Sequence, residues 1–278
     1  MLLALLANPK SGRGAAGTVE RMLRERGAEV RDFELDERDD AVALGPDRIA
    51  VAGGDGSIGF AAEAAARAGV PLAVVPVGTA NDFARAIGIP LDLAEACRLA
   101  VEGRETRLLE LGWMGDRPFV NAASTGLSPI AAANAQGVKR ILGPFAYSLG
   151  ALGAGITAKP IRCRVTCDGK PRFDGRAWQV SVAVTGAFGG GSGVDADPHD
   201  GVLDVVVIEA TSRARLVLHA YGLRARRLES QKGVRSERGH VVEVSTDGET
   251  GFNVDGELVG VDRARFRVKA GAYAVVTG

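Results

Sequence analysis

The sequence predicts an α/β half built on a parallel sheet, followed by a half made mainly of antiparallel β-strands. Up to about residue 110, short apolar runs alternate with helical patterns, which is typical of strands and helices packed in layers. Beyond that point apolar residues recur at every second position, as in the segment 178–184. We therefore expect two domains, residues 1–110 and 111–278.

Residues typical of helix starts and ends occur in the first half of the chain. Gly27 and Gly69 follow helical patterns as natural C-caps, and Asp92 with Glu95 has the spacing of a helix-start box. The sequence predicts strands at residues 2–6, 30–35, 48–52 and 71–75, helices at 15–26 and 58–68, and a helix start at Asp92.

Turn dipeptides divide the second half. Asp168-Gly169 and Asp247-Gly248 are typical of tight β-hairpins, and residues 202–208 form a strongly apolar strand. Helices are expected near 130–155 and 212–229. The antiparallel character of this half rests on these turns and on the period-two pattern.

The composition is that of an ordinary globular protein. Thirty-four basic residues balance thirty-four acidic ones, so overall charge does not indicate nucleic acid, and no nucleic-acid partner is expected. Three cysteines are too few for a disulfide framework, which favours a reducing cytoplasm. Cys163 and Cys167 alternate with polar residues on one strand, which predicts buried thiols, and no His/Cys spacing fits a zinc site.

Two apolar segments could be taken for a signal peptide or a membrane-spanning helix. The N-terminal run lacks a basic region and is short, so we expect a first buried strand and not a signal peptide. Residues 141–158 carry no charge but contain four glycines and a proline, which favours a buried or pocket-lining helix over a membrane span.

Two glycine-rich stretches compete as phosphate sites. Residues 12–17 match G-x-G-x-x-G, and Asp36 lies at a distance that suits a ribose contact, so a dinucleotide site is one interpretation. Four residues separate the first strand from this glycine, whereas a dinucleotide turn is normally tighter. The second stretch, Gly-Gly-Asp-Gly-Ser at 53–57, lies between a predicted strand and helix, where glycines let the backbone approach a polyphosphate.

A third segment, P-V-G-T-A-N-D-F-A-R at 76–85, also follows a buried strand. Loops after neighbouring parallel strands meet at the carboxyl edge of the sheet, so the loops near 8–14, 53–57 and 76–82 are expected to converge. The usual P-loop pattern is absent from the sequence.

These segments, with N-P-K-S-G at 8–12, resemble the diacylglycerol kinase and sphingosine kinase-like lipid kinases, especially the soluble bacterial branch. The resemblance continues with a glycine run at 189–191, D-G-V-L-D at 200–204 and D-G-E at 255–257, so it covers almost the whole chain. The G-G-D-G motif alone is less specific, because NAD kinases and phosphofructokinases share it.

The resemblance implies an N-terminal α/β domain of the NAD kinase/phosphofructokinase type that binds ATP, and a C-terminal antiparallel β-sandwich domain, with the active site in the cleft between them. It also implies ATP contacts from the three loops, a structural Mg²⁺ at Asp200 with backbone atoms of Asp197 and Val202, and Glu257 as proton acceptor. The expected ATP-binding residues are Asn8, Pro9, Lys10, Ser11, Gly12, Gly53, Gly54, Asp55, Gly56, Ser57, Gly78, Thr79, Asn81 and Asp82.

Three positions depart from the family pattern. Ser57 replaces the usual threonine and keeps the hydroxyl, whereas Gly59 stands where the family usually has asparagine. Leu35 takes the place of a threonine that contacts the nucleotide. The carboxylates of Asp55, Asp200 and Glu257 agree with the family pattern.

Phosphoryl transfer depends on positioning and charge neutralisation. We expect Asp55 and Asp82 to hold a catalytic Mg²⁺ directly or through water, and Glu257, or failing that Asp255, to take the proton of the attacking hydroxyl. Lys10, Arg13 and Arg85 are candidate partners of the phosphates, with solvent exposure as the alternative for the two arginines.

Basic residues are concentrated between Arg213 and Arg238, with apolar residues on one helical face. This pattern fits a basic amphipathic helix resting on anionic lipid, or a solvated surface helix.

We expect a cytoplasmic kinase whose substrate is a lipid alcohol such as diacylglycerol, which the enzyme would bind at the inner face of the membrane. The alternatives are a soluble-alcohol kinase of the NAD kinase type, a non-catalytic nucleotide- or lipid-binding family member, and an NAD-binding dehydrogenase. The oligomeric state is left open.

Overall fold

The computed structural model describes residues 1–7, 15–127, 159–188, 192–224, 228–248 and 250–278. Contacts divide the chain into one compact unit of residues 1–111 with 269–278, and a second unit of residues 112–268. The sequence predicts a second domain of residues 111–278, which includes residues 269–278. They belong with the first unit because the last strand, Arg263–Thr277, pairs Val275 with Leu72 there.

The first unit contains a parallel sheet, as the sequence predicts. Its strands are β1 (Leu2–Ala7), β2 (Glu29–Glu34), β3 (Arg48–Gly53) and β4 (Leu72–Pro76). They lie in the order β2-β1-β3-β4, with each neighbouring pair parallel. β1, β3 and β4 are almost continuously buried, which explains why their sequences are apolar runs without alternation.

Five α-helices of the described residues belong to this unit: α1 (Ala15–Glu25), α2 (Arg38–Ala43), α3 (Asp55–Ala68), α4 (Asp82–Ile87) and α5 (Leu93–Glu102). The predicted caps are present. Asp92 Oδ1 accepts from the backbone N–H of Glu95 at 3.0 Å, and Gly69 ends α3 with a φ of 68°. The sequence did not predict α2 and α4, because six residues are too few for helical periodicity to emerge.

The second unit is built of antiparallel pairs. Its main path runs β16-β15-β7-β9-β8-β14-β17, and β12 pairs with both β9 and β13. The remaining strands are β5 (Glu105–Met114), β6 (Arg117–Phe119), β7 (Ala122–Gly126), β8 (Ile161–Cys167), β9 (Lys170–Ala183), β10 (Ala187–Phe188), β11 (Ser192–Gly193), β12 (Leu203–Glu209), β13 (Val234–Gly239), β14 (Val241–Thr246), β15 (Phe252–Val254), β16 (Glu257–Val259) and β17 (Arg263–Thr277). The division between the units falls within β5 and β17.

The cysteine face of β8 lies inside this unit. Cys163 and Cys167 are buried free thiols, and burial raises the pKa of each to about 11. The prediction of buried thiols is therefore confirmed. At the end of β8, Asp168 and Gly169 have φ values of 50° and 74°, as a type I′ hairpin requires, so this predicted turn is also confirmed.

The basic segment is only partly helical. Helix α6 spans Arg213–Arg224, inside the helix predicted near 212–229, whereas Val234–Gly239 form β13, so the basic segment does not continue as one helix to Arg238. β-Branched Val234 and pairing with the apolar strand β12 outweigh the local helical pattern. Within the described part of the chain no helix is long and apolar enough to span a membrane. The expected helix near 130–155 and the apolar segment 141–158 lie outside the described residues.

Candidate active site

The carboxyl ends of three parallel strands meet at one edge of the first unit. Ala7 at the end of β1 pairs with Ala52 of β3, and Gly53 pairs with Pro76 of β4. The loops after these strands therefore start side by side, as strand order predicts. The first loop, with Asn8, Pro9, Lys10, Ser11 and Gly12, lies outside the described residues.

The other two loops are in direct backbone contact. A Cβ added to Gly78 would lie 2.5 Å from the Cα of Gly54 and 2.8 Å from Oδ1 of Asn81. The backbone N–H of Val77 also donates to the carbonyl of Gly53 at 3.1 Å. Glycine at position 78 is thus required by space, because any side chain would force the two loops apart.

Asp55 joins the same two loops through its side chain. It is the first residue of α3, and its carboxylate accepts the backbone N–H groups of Asp82 at 3.1 Å and Phe83 at 2.8 Å. These amides belong to the first turn of α4, whose N–H groups have no partner inside the helix. Asp55 therefore caps α4 from a neighbouring loop and orients the segment that contains Thr79 and Asn81.

The residue before α4 has an unusual backbone. Asn81 has a φ of 51°, in the left-handed region that asparagine tolerates better than most residues, and its side-chain amide donates to the carbonyl of Gly78 at 3.1 Å. Asp82, which follows, is 5% exposed, whereas Thr79 lies at the surface. The loop thus presents its threonine outward and buries its aspartate.

The remaining residues of the glycine loop enter helix α3 directly. Gly56 is the second residue of the helix, and the buried Ser57 donates its backbone N–H to the carbonyl of Gly54 at 2.9 Å. Gly53 packs against this serine, because a Cβ there would lie 2.8 Å from the Cβ of Ser57. A helix of 14 residues therefore starts at the loop, and its N-terminal amides and dipole favour an anion there.

In the second unit, the D-G-E motif forms the hairpin turn between β15 and β16. Asp255 and Gly256 have φ values of 48° and 91°. The Asp255 carboxylate accepts the backbone N–H groups of Val120 at 2.8 Å, Asn121 at 3.0 Å and Ala122 at 3.1 Å. These three bonds hold the turn against the start of β7.

Glu257 follows this turn and is half exposed. Its Oε2 lies 2.5 Å from Nη2 of Arg117 on β6, and the arginine side chain is 25% exposed. The ion pair gives the glutamate a defined direction next to a rigid turn. Arg117 was not among the residues that the sequence motifs indicated.

Asp200 lies in the loop before β12, in the D-G-x-L-D motif. Its Oδ1 accepts the backbone N–H of Val202 at 3.1 Å, and its Oδ2 accepts from Arg238 of β13. Asp197 accepts the backbone N–H of His199 at 3.1 Å. Burial raises the pKa of nearby Asp204 to about 6, although Arg238 at 2.9 Å acts in the opposite direction.

Comparisons with known proteins agree with these motifs. Residues 2–112 match the diacylglycerol kinase catalytic domain, and residues 121–277 match the YegS C-terminal NAD kinase beta sandwich-like domain. The chain belongs to the diacylglycerol kinase family. The family resemblance predicted from the motifs is thereby confirmed.

Relatives in the diacylglycerol kinase family match most of the chain. A diacylglycerol kinase of Mycobacterium tuberculosis is 30% identical over 231 residues, which are 76% of this chain and 74% of that protein. A diacylglycerol kinase of Staphylococcus aureus is 31% identical over 226 residues, 79% of this chain and 71% of that protein.

Solved structures agree on the fold. The crystal structure of a diacylglycerol kinase from Bacillus anthracis has a TM-score of 0.77 at 21% identity and covers 99% of this chain and 96% of that one. An NAD kinase from Archaeoglobus fulgidus in complex with ATP has a TM-score of 0.55 at 14% identity and covers 100% and 94%. The predicted fold class, an NAD kinase-like α/β part with a β-sandwich-like part, is confirmed.

Several buried or paired polar residues of this diacylglycerol kinase family member lie outside the sequence motifs. Glu110 on β5 is 1% exposed, and Asn121 at the start of β7 accepts from the Thr185 hydroxyl at 2.7 Å. Arg117 and Arg238 were also missed as partners of Glu257 and Asp200. Burial and pairing across strands arise from tertiary structure, so no local pattern indicated them.

A cavity of the first unit lies beside the strand ends. A cavity of about 260 Å³ is lined by residues of β1, α1 and β2, among them Ala7, Glu20, Asp32 and Glu34. Partial burial, followed by a hydrogen bond to Glu20, raises the pKa of the Asp32 carboxyl to about 6. Asp36, the ribose candidate of the dinucleotide interpretation, is in the short 3₁₀ turn after β2.

Proposed function

We propose that this protein transfers the γ-phosphoryl group of ATP to the hydroxyl of diacylglycerol or a related lipid alcohol. The class of enzyme, a lipid kinase acting on an alcohol group, follows from family membership. The observation that carries the proposal is the contact of the two glycine loops, closed by Asp55, at the start of a long helix.

ATP phosphates would bind where these loops meet. The loops provide close backbone approach at Gly54 and Gly78, and the first turn of α3 provides amide groups. The residues Gly53, Gly56, Ser57, Thr79 and Asn81 belong to the same two loops and the helix start that follows them, and residues 8–12 would complete the site. Arg85 is exposed and donates to the carbonyl of Ala80 at 3.2 Å, so its guanidinium lies within this loop.

A Mg²⁺ ion would accompany ATP and neutralise phosphate charge during transfer. Asp55 and Asp82 fit this role as carboxylates of the two loops. Because both oxygens of Asp55 already accept backbone amides, we assign it a contact through water, which suits an ion that retains several waters. Its second role is to keep α4 in place.

Glu257 would accept the proton of the attacking hydroxyl. It is half exposed and held by Arg117, whereas the Asp255 carboxylate is occupied by three backbone amides. A group that must take a proton needs a free lone pair directed at the substrate. We therefore assign the base to Glu257 and the support of the turn to Asp255.

The enzyme would bind its lipid substrate at the surface of the membrane. Helix α6 exposes Leu218, which is 61% exposed, and carries exposed Arg213 in its first turn. Apolar and basic side chains together favour an anionic lipid surface. The buried free thiols fit a reducing compartment, so we place the enzyme in the cytoplasm, in peripheral contact with the inner face of the membrane.

The experiment that tests this function is Mg²⁺-dependent transfer of γ-³²P from ATP to lipids in mixed micelles. The panel contains diacylglycerol, a sphingoid base, ceramide and phosphatidylglycerol, with NAD as a soluble alcohol. Glu257→Gln is compared with Glu243→Gln, because Glu243 is also half exposed and lies 3.7 Å from an arginine in the same unit.

A lipid that is labelled by the natural chain and by Glu243→Gln, but not by Glu257→Gln, supports the proposal and names the substrate class. Labelling of NAD alone contradicts the lipid assignment and leaves a kinase. If ATP binds and nothing is labelled, the protein is a non-catalytic member of the family.

A further inference from the structure

Two carboxylates at the start of β12, Asp200 in the preceding loop and Asp204 on the strand, share the guanidinium of Arg238. Asp204 and Arg238 are directly opposite each other in the antiparallel pair of β12 and β13. The guanidinium Nε of Arg238 donates to Asp204 at 2.9 Å, and its Nη2 donates to Asp200. One arginine therefore bridges the first and last acidic residues of the D-G-V-L-D motif.

Family resemblance implies a structural Mg²⁺ at this loop, held by the Asp200 carboxylate with backbone atoms of Asp197 and Val202. Mg²⁺ requires six oxygen ligands in a near-octahedral arrangement and prefers anionic ones. Here the Asp200 carboxylate already accepts two hydrogen bonds, one from Val202 and one from Arg238.

The positive charge of Arg238 also disfavours a divalent cation at Asp200. A guanidinium at hydrogen-bond distance from Asp200 would lie within a few ångströms of any ion on the same carboxylate, where like charges repel. The residues present therefore do not fit the implied ion.

We propose that Arg238 takes the place of the structural divalent cation and holds the loop before β12 to β13. The planar fork of arginine matches two carboxylates at once, and unlike an ion it is never lost by dilution or chelation. The loop would then be stable without Mg²⁺ at this position. This inference is independent of the kinase reaction, because it concerns the stability of the second unit.

The test uses the full-length chain without nucleotide. Thermal unfolding is followed in EDTA and in rising Mg²⁺, and Mn²⁺ binding is measured by electron paramagnetic resonance. Arg238→Gln is compared with Arg235→Gln, because Arg235 lies on the same strand, pairs with Glu209 and has a similar exposure, 55% against 51%.

For the natural chain we expect the same Tm in EDTA and in Mg²⁺. Arg238→Gln should lower the Tm by a few degrees and gain a rise with Mg²⁺, together with one additional Mn²⁺ site that Asp200→Asn removes. Arg235→Gln should lower the Tm without gaining any dependence on the cation.

The proposal is overturned if Mg²⁺ raises the Tm of the natural chain and Asp200→Asn abolishes that rise, because the ion would then occupy the loop despite Arg238. It is also overturned if Arg238→Gln folds but gains no cation response. Should Arg238→Gln fail to fold, the comparison of the natural chain with Asp200→Asn in Mn²⁺ binding decides the matter: a site lost on this substitution contradicts the proposal, and no difference supports it.

Discussion

Oδ1 of Asp55 accepts the backbone N–H of Phe83 at 2.8 Å, so a side chain of the loop after β3 caps the helix after β4. The second oxygen accepts the N–H of Asp82. The carboxylate therefore holds the two loops together, and in the proposed function it also supplies charge to the phosphate site. The two roles can be separated by substitution.

Asp55→Asn should lower kcat by about 10²–10³-fold, the cost typical of losing one preorganised electrostatic contact in a transition state. Its remaining side-chain oxygen still accepts one amide, so the fold should be destabilised by less than in Asp55→Ala. For Asp55→Ala, the loss of hydrogen bonds to a charged group predicts about 1.5–3 kcal/mol less free energy of unfolding. Steady-state kinetics and urea denaturation measure the two effects.

Asp39→Asn is the control for this pair, because Asp39 is an exposed aspartate of the first unit that pairs with Arg67 at 2.6 Å. It should change neither kcat nor stability by much. Equal loss of activity in Asp55→Asn and Asp55→Ala, with no difference in stability, would contradict the dual role.

Gly78→Ala should raise the KM for ATP at least about tenfold, since a displacement of the phosphate loops by a fraction of an ångström already weakens positioned contacts. The added methyl group would lie 2.5 Å from the Cα of Gly54, which no side-chain movement relieves. Gly260→Ala is the matched control, because no atom lies within 4 Å of a Cβ there. Unchanged nucleotide binding in Gly78→Ala, measured by calorimetry, would show that the loops do not cradle ATP.

Arg117 should act through Glu257. Glu257→Gln is expected to lower kcat by about 10²–10⁴-fold, the range of general base catalysis, with little change in the KM for ATP. Arg117→Gln should lower kcat by a smaller factor, because the glutamate then loses its direction but keeps its carboxylate. The double variant should be no slower than Glu257→Gln, since coupled residues are not additive. A double variant slowed by the product of both factors would indicate independent roles.

The pH dependence of stability should reflect Asp32. In the folded state its pKa is about 6, against an ordinary value of 3.8, because burial and the hydrogen bond to Glu20 favour the protonated acid. The folded state thus binds a proton more tightly, and stability is lost as pH rises from about 4 to about 6. The loss levels off about one unit above the folded pKa, near pH 7.

Asp32→Asn should therefore make the chain more stable at pH 7 to 8 and leave it unchanged near pH 4. Urea denaturation at several pH values measures the effect. Glu20→Gln should lower the pKa of Asp32 in the folded state, because the side chain of Glu20 helps to raise it. The loss of stability should then end at a lower pH than in the natural chain. If the free energies of unfolding of the natural chain and of Asp32→Asn differed by the same amount at every pH, this account would be contradicted.

The three cysteines should be inert in the native state. Cys97, Cys163 and Cys167 are buried, and burial raises the pKa of each thiol. At pH 8 a thiol reagent should react slowly, at the rate at which the structure opens, and fully in denaturant. Rapid labelling of one native thiol would show that its strand or helix is locally open.

The sequence alone determined the two-part architecture and the positions of the loops. Continuous apolar runs such as Leu2–Leu6 indicated buried parallel strands, because both faces of such strands are covered, and the period-two stretches indicated the antiparallel half. Asp168-Gly169 indicated a hairpin because few other dipeptides adopt positive φ at both residues. These signals are local, so they can be recognised in the chain itself.

Only the tertiary structure decided which side chains meet. The bonds from Asp55 to α4, from Glu257 to Arg117 and from Asp200 to Arg238 join residues 27 or more positions apart, and nothing in their sequence neighbourhoods specifies the partner. The return of residues 269–278 to the first unit has the same origin, because strand pairing is chosen by the available edge of a sheet. Short-range periodicity sets the elements, whereas long-range packing and electrostatics choose their contacts.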